Sequence, residues 1–279
     1  MTVPDAGSPG VPLSHLPVQE KNRRAQSFGT VASSYERFRP GPPGEAVDWL
    51  LGSHVDRVVD LGAGTGALTR LLVEKADEVV AVEPDDRMRS VLVDELPGIR
   101  AVEGRGESIP LPDGSADAVL ASSSWHWMDP VPTLNEVARV LVRGGLLGAL
   151  WSGPDPEGPF IVQAQALLAQ QSEGGTGDRP FTGQILNDAL RPASRLEIPT
   201  GLPFDEPEYA RFTWDVALNA DELIGLLGTL SWIITMPEED RVGVMAEARR
   251  LLAELLGIEG ERTVDVRFRS DVWRTHSRP

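Results

Sequence analysis

The sequence predicts an α/β fold built on a doubly wound, mostly parallel sheet, and three observations carry that expectation. Five short apolar runs alternate with stretches of helical periodicity between Val58 and Trp151, as a strand–helix–strand repeat requires. The first run, Val58-Val59-Asp60-Leu61, passes directly into Gly62-Ala63-Gly64-Thr65-Gly66, after which Leu68, Leu71 and Leu72 fall at helical spacing. The second run, Val79-Val80-Ala81-Val82, ends in an acid, Glu83. That acid arrives about twenty residues after the turn, the separation expected of a ribose-binding carboxylate in a nucleotide-type β-α-β unit.

Each element follows from its own local pattern. Residues 1–20 hold Pro4, Pro9, Pro12 and Pro17 with few large apolar side chains, and read as a disordered tail. Residues 21–279 read as a single domain. A short helical segment is expected from Arg23 to Phe38, anchored by Phe28 and Tyr35, before Arg39-Pro40-Gly41-Pro42-Pro43 breaks the chain. Residues 45–51 read as a helix stopped by Gly52. Asp85 caps a helix that carries Met88, Val91 and Leu92 on one face and ends at Pro97-Gly98.

Residues 99–102 and 116–121 supply the third and fourth strands, separated by a turn cluster at 110–114. After Asp129-Pro130-Val131-Pro132, the residues Leu134, Val137, Ala138 and Leu141 share a helical face. That helix carries Arg139 and Arg143 towards its end and is expected to close at Gly144-Gly145, before a fifth strand at 146–151. Residues 153–203 surround a helix at 160–171 and a loop at Gly174-Gly175-Thr176-Gly177. With part of 217–258 they are expected to cap the substrate site. A strand at 209–216 and helices at 221–230 and 238–256 follow, and the strict alternation of 263–268 predicts a half-exposed antiparallel strand.

Composition narrows the functional classes. The chain has 279 residues and a formal charge of −16, which opposes binding to a phosphate backbone. It has no cysteine, so disulfides, thiolate metal sites and cysteine nucleophiles are excluded. The four histidines (His15, His54, His126, His276) are too scattered for a local metal site, and no metal is expected. No apolar run approaches the ~18 residues of a membrane span. The N-terminus lacks a signal pattern, and a cytoplasmic protein is expected. The oligomeric state is open.

The glycine spacing selects among nucleotide-type ligands. A dinucleotide fingerprint reads G-x-G-x-x-G, whereas this loop reads G-x-G-x-G behind Asp60 and lacks the Lys-Ser/Thr pair of a triphosphate site. A plain glycine turn is the bland alternative. With Glu83-Pro84-Asp85 following, the stretch resembles the first two motifs of class I S-adenosylmethionine-dependent methyltransferases. Gly104-Arg105-Gly106-Glu107 with Ile109-Pro110-Leu111-Pro112-Asp113 resembles that family's G-D-A-E-x-L-P-F-P-D stretch. The segment from Ser122 to Trp127 resembles its x-x-W-H-W variant, and Val140-Leu141-Val142-Arg143-Gly144-Gly145 its V-L-K-P-G-G turn. From about Phe28 to Trp273 the chain is similar to the type-11 methyltransferases, near the trans-aconitate-methyltransferase-like group.

The resemblance implies a Rossmann-like seven-stranded sheet of order 3-2-1-4-5-7-6, last strand antiparallel. It implies an enzyme that takes S-adenosyl-L-methionine, leaves S-adenosyl-L-homocysteine, and methylates a small molecule at a carboxylate or hydroxyl oxygen. The cofactor-side residues it implies are Asp60, Gly62, Ala63, Gly64, Thr65, Gly66, Glu83, Pro84, Met88, Arg105, Gly106, Glu107 and Ser122. Asp60 also has a structural role open to it, holding the glycine loop through backbone N–H groups. Arg105 stands where the family carries an aspartate that accepts from the adenine amino group. Arginine has no acceptor, which leaves adenine to the Gly106 backbone, to Glu107, or to stacking on Arg105.

Trp125-His126-Trp127 follows the fourth strand, at the carboxyl edge where open α/β sheets bind ligands. That placement makes Trp125 and Trp127 substrate-side candidates and His126 a base or orienter. Trp151 is core or pocket wall, and the resemblance places Arg39 and the catalytic candidate Tyr35 in a segment that folds over the cofactor. Core packing for Met88 and His126 and a surface ion pair for Arg39 are the structural alternatives. Two other functions stay open: a nicotinamide-dependent oxidoreductase, against which the glycine spacing argues, and a non-catalytic S-adenosylmethionine-binding protein.

Overall fold

A computed structural model describes Gly29, Ala32 and residues 37–173 and 195–278. The expected tail at 1–20, the segment holding Phe28 and Tyr35, and the loop at 174–177 lie outside these described residues. The described residues group into two compact units, one of 39–153, 195–214 and 269–278, the other centred on 154–173 and 215–268.

The strands are β1 (Val55–Leu61), β2 (Ala76–Val82), β3 (Arg100–Val102), β4 (Ala116–Ser122), β5 (Leu141–Pro154), β6 (Glu208–Leu218) and β7 (Val264–His276). They form one mixed seven-stranded sheet of order β3-β2-β1-β4-β5-β7-β6. β1 pairs in parallel with β2 and with β4, β2 with β3, and β4 with β5. Strand order therefore reverses between β1 and β4, the switch point whose carboxyl edge receives ligands in open α/β sheets.

Both faces of this sheet are covered, which explains why its strands read as continuous apolar runs. Val58 and Val59 are adjacent in β1 yet enter opposite layers, as the two-residue pleat dictates. Val58 packs with Val47, Leu50, Leu72 and Leu150, whereas Val59 packs with Val80, Leu134, Val137 and Leu147. Each fully buried aliphatic side chain contributes about 1.5–3 kcal/mol of transfer free energy. Leu196 and Phe204 join the second of these layers.

Helix α1 (Gly44–Leu51) buries Ala46, Val47 and Leu50 and stops at Gly52, whose φ is +68°. The single turn α2 (Thr69–Leu72) follows the glycine loop. Helix α3 (Asp86–Glu95) starts as expected at Asp85, which accepts from the Arg87 and Met88 amides at 2.9 and 3.4 Å. Helix α4 (Pro130–Val140) ends earlier than its periodicity predicts. Leu141 pairs with Ala116 on β4, and the next pair is Leu146 with Ala118. Arg143, Gly144 and Gly145 thus form an irregular bend at the start of β5, where Gly144 adopts φ +76°, and do not cap the helix. Sheet pairing has overridden the helical phase of Leu141.

In the other unit, α5 (Pro159–Glu173), α6 (Ala220–Gly228), α7 (Ser231–Ile234) and α8 (Glu238–Leu256) gather around Ile233, Val244, Ala248 and Leu251. Asn219 and Glu222 close a reciprocal capping box on α6, and Gly257 ends α8 in the left-handed conformation. β7 runs well past the predicted 263–268. Its continuation, Arg269 to Val272, is buried, so the alternation fades there. Among the described residues no helix is long and apolar enough to cross a membrane.

Candidate active site

The site is built where β1, β2 and β4 end. Gly62, Gly64 and Gly66 all adopt positive φ (71°, 59° and 97°), which turns the chain sharply after β1. The Gly62 and Ala63 amides both donate to the Val82 carbonyl, at 2.8 and 3.1 Å, tying the loop to the end of β2. A Cβ on Gly62 would lie 2.6 Å from Ser124 Cβ, so only glycine admits that approach.

Glu83 closes the loop from the other side. Its Oε2 accepts from the Gly64 amide at 2.8 Å and its Oε1 from the Asp85 amide at 2.9 Å. The residue is 8% exposed. Burial pushes its carboxyl group above the ordinary value, against the pull of the two amides. Asp60 is fully buried and accepts the Thr69 hydroxyl at 2.6 Å on Oδ2. Its partner is therefore a residue of α2. Asp60 Oδ1 and the Thr65 hydroxyl are buried and meet no hydrogen-bond partner among the described residues. Burial pushes the Asp60 carboxyl up to about 7, the Thr69 hydrogen bond opposing and the Glu83 charge adding.

These groups fit S-adenosylmethionine. The loop presents backbone without side chains. Each Glu83 oxygen has accepted one N–H and keeps a second acceptor site for a diol. Two buried oxygens, on Asp60 and Thr65, are left for polar partners. Met88, 5% exposed, brings its Cε within 3.5 Å of where a Gly64 side chain would begin. Pro84 is exposed.

The third motif is tightly folded. Arg105 and Ser108 exchange backbone hydrogen bonds at 3.2 and 3.1 Å, leaving the Arg105 side chain exposed. Gly106 is buried, and a Cβ there would sit 2.6 Å from Met128 Sδ. Glu107 accepts the Asp129 amide at 2.7 Å, which fixes the head of α4.

At the end of β4, Ser122 pairs with Leu150. Ser123 adopts φ 52°, the left-handed region, while its amide donates to Leu150 at 2.8 Å. Ser124 donates from its hydroxyl to the Leu61 carbonyl at 2.7 Å, joining this segment to β1. Trp125, His126 and Trp127 then form one 3-10 turn. Trp125, expected on the substrate side, is instead 5% exposed and packed with Leu134 in the sheet core. His126 accepts the Trp151 indole N–H on Nδ1 at 3.0 Å, and its ring lies 4.8 Å from that of Trp127. Arg39 is half-buried ahead of α1, and Tyr35 is outside the described residues. Sequence reasoning passed over Thr69, Ser123 and Ser124. For the two serines the available signal was the run Ser122-Ser123-Ser124 directly after the fourth apolar run.

A methyltransferase-domain family model matches residues 59–149. An uncharacterized methyltransferase of Mycobacterium tuberculosis is 39% identical over 227 residues, covering 81% of this chain and 86% of its own. A malonyl-[acyl-carrier protein] O-methyltransferase of Pectobacterium atrosepticum is 30% identical over 131 residues, covering 46% and 52%. A solved structure, a candidate type II methyltransferase of Anaeromyxobacter dehalogenans, shares the fold with a TM-score of 0.59 at 22% identity, covering 86% and 98%. Fold, loop and relatives agree: the chain belongs to the class I S-adenosylmethionine-dependent methyltransferases. It is an enzyme of methyl transfer, and its family implies S-adenosylmethionine as donor.

Proposed function

We propose that this methyltransferase acts on an oxygen of a small molecule, by direct displacement. The O-methyltransferase among the relatives supports this reading, and the Ser124–Leu61 bond of 2.7 Å ties the His126-Trp127 turn to the end of β1, beside the glycine loop. The candidate donor-side and acceptor-side residues thereby lie at one edge of the sheet.

Bound S-adenosylmethionine supplies a methyl carbon already activated by a sulfonium centre. What remains for the protein is alignment and exclusion of water. Gly62 to Gly66 offer a backbone cradle, and Glu83 offers acceptor sites to ribose hydroxyls. Asp60 presents a buried oxygen near this loop, and Met88 an apolar wall. With Arg105 lacking an acceptor, the backbone at Gly106 serves the adenine amino group. Trp127 and His126 face the acceptor, backed by Trp151.

The charge of −16 favours a small acceptor over a nucleic acid. An oxygen target is supported by the O-methyltransferase among the relatives, whose named substrate carries a malonyl group. The test is mass spectrometry of products from isotopically methyl-labelled donor with panels of small carboxylic acids, phenols and amines. Labelled esters or ethers are expected. Labelled amines alone would contradict the oxygen assignment.

A further inference from the structure

The hydrogen bond between Trp151 and His126 decides where the imidazole carries its proton. An indole Nε1–H is a donor only, and it points at His126 Nδ1 from 3.0 Å. Nδ1 must therefore hold a lone pair, and the neutral ring carries its hydrogen on Nε2.

Both partners are held in place. Trp151 is 9% exposed on β5, one residue beyond the Ser122–Leu150 pair that joins β5 to β4. His126 sits in a turn closed by the Trp127 amide on the Ser124 carbonyl at 3.0 Å. The tilted Trp127 ring, 4.8 Å away, bears on the imidazole itself. Rotating the imidazole by half a turn would set a carbon against the indole N–H and lose the bond.

The chemical consequence concerns Nε2. To take a proton there, the ring would first have to move its hydrogen to Nδ1, setting two donors against each other. We propose that Trp151 is a positioning residue that fixes His126 as an Nε2–H donor, so that His126 holds the acceptor oxygen and does not deprotonate it. Resting on the oxygen reading above, this requires an acceptor that arrives already ionised. An oxygen lone pair then forms the new C–O bond while the S–C pair returns to sulfur. The sulfonium becomes a neutral thioether, the oxyanion a neutral methylated product, and no proton is released.

The test begins with 15N-histidine-labelled full-length protein and long-range 1H–15N correlation, His126 being assigned with His126→Gln. The expected spectrum has a pyridine-type Nδ1 and a protonated Nε2 in the wild type, and a mixture of tautomers in Trp151→Phe. A protonated Nδ1 in the wild type overturns the inference whatever the acceptor proves to be. Initial rates with benzoate and benzyl alcohol as probes supply the second arm. His126→Gln removes the imidazole that holds substrate, so its rate on benzoate should fall, while the pH profile on benzoate keeps its wild-type shape because no base has been removed. Loss of a general base costs about 10²–10⁴ in rate. Transfer to benzyl alcohol with a pH limb that His126→Gln abolishes would overturn the proposal. An Nε2–H tautomer with labelled amines as the sole products would support the hydrogen-bond assignment while removing the oxygen reading.

Discussion

Gly64 and Glu83, 19 residues apart in the chain, are joined by a 2.8 Å hydrogen bond from the glycine amide to the carboxylate. The same carboxylate takes the Asp85 amide at 2.9 Å, so one side chain shapes both the glycine loop and the cap of α3. Glu83→Gln keeps one acceptor oxygen and sets an NH2 group against the other amide. An unmade buried hydrogen bond costs about 1–3 kcal/mol. Thermal melting should show a loss of that size, and calorimetry a loss of S-adenosylmethionine affinity of at least about tenfold. Wild-type affinity in the folded variant would remove Glu83 from the donor site.

Asp60 gives the stability a pH dependence of known sign. Its folded carboxyl lies near 7, well above the ordinary value of 3.8. The folded state therefore holds the proton more tightly, and the unfolded chain binds fewer protons between about pH 4 and 7. Stability attributable to this group falls as pH rises through that window and levels off above it. In Asp60→Asn the term is absent, while the cost of burying the amide is the same at every pH. The melting temperature of Asp60→Asn relative to wild type should rise from pH 5 to pH 8, by the equivalent of a few kcal/mol. A constant difference would show Asp60 ionised in the folded protein at pH 5.

The close approach of Gly62 to Ser124 should behave as a coupled pair. Gly62→Ala combines positive φ with a Cβ 2.6 Å from Ser124 Cβ, a cost of about 2–4 kcal/mol from backbone strain and overpacking together. Adding Ser124→Gly removes the overlap but not the φ strain. A double-mutant cycle should return a favourable coupling of about 1 kcal/mol or more. Simple additivity would show that the two residues do not press on each other.

Ser123 carries its own strain at φ 52°. A non-glycine residue in this region costs about 1–2 kcal/mol. Ser123→Gly should raise the melting temperature by up to the equivalent of about 1 kcal/mol. A lower melting temperature would mean that the Ser123 side chain makes contacts worth more than the strain.

The legible parts of this molecule are those where one local signal sufficed. β1 and β2 showed as apolar runs because both faces of the sheet are covered, and α8 because its apolar face repeats over nineteen residues. The glycine loop and Glu83 showed through their spacing, 19 residues that the structure closes with the Gly64–Glu83 hydrogen bond. What stayed hidden depends on partners distant in sequence. The end of α4 is decided by the pairing of Leu141 with Ala116, so helical periodicity alone overran it. The Trp151–His126 bond joins residues 25 apart, and Ser124 reaches Leu61 across 63 positions. Trp125 and Trp127 look alike in the sequence, yet the 3-10 turn sends the first into the core and leaves the second half-exposed.

We infer that the loop from Gly62 to Gly66 holds S-adenosylmethionine. Gly64, at φ +59° with Met88 Cε 3.5 Å from where its Cβ would lie, is the position where a side chain would fill the cradle. Calorimetric titration of wild type and Gly64→Arg with S-adenosylmethionine, S-adenosylhomocysteine and NADH tests this directly, with circular dichroism to establish that the variant is folded. Wild type should bind the first two ligands saturably and NADH not at all, and the variant should bind neither. NADH binding by wild type, or undiminished S-adenosylmethionine binding by folded Gly64→Arg, would contradict that assignment.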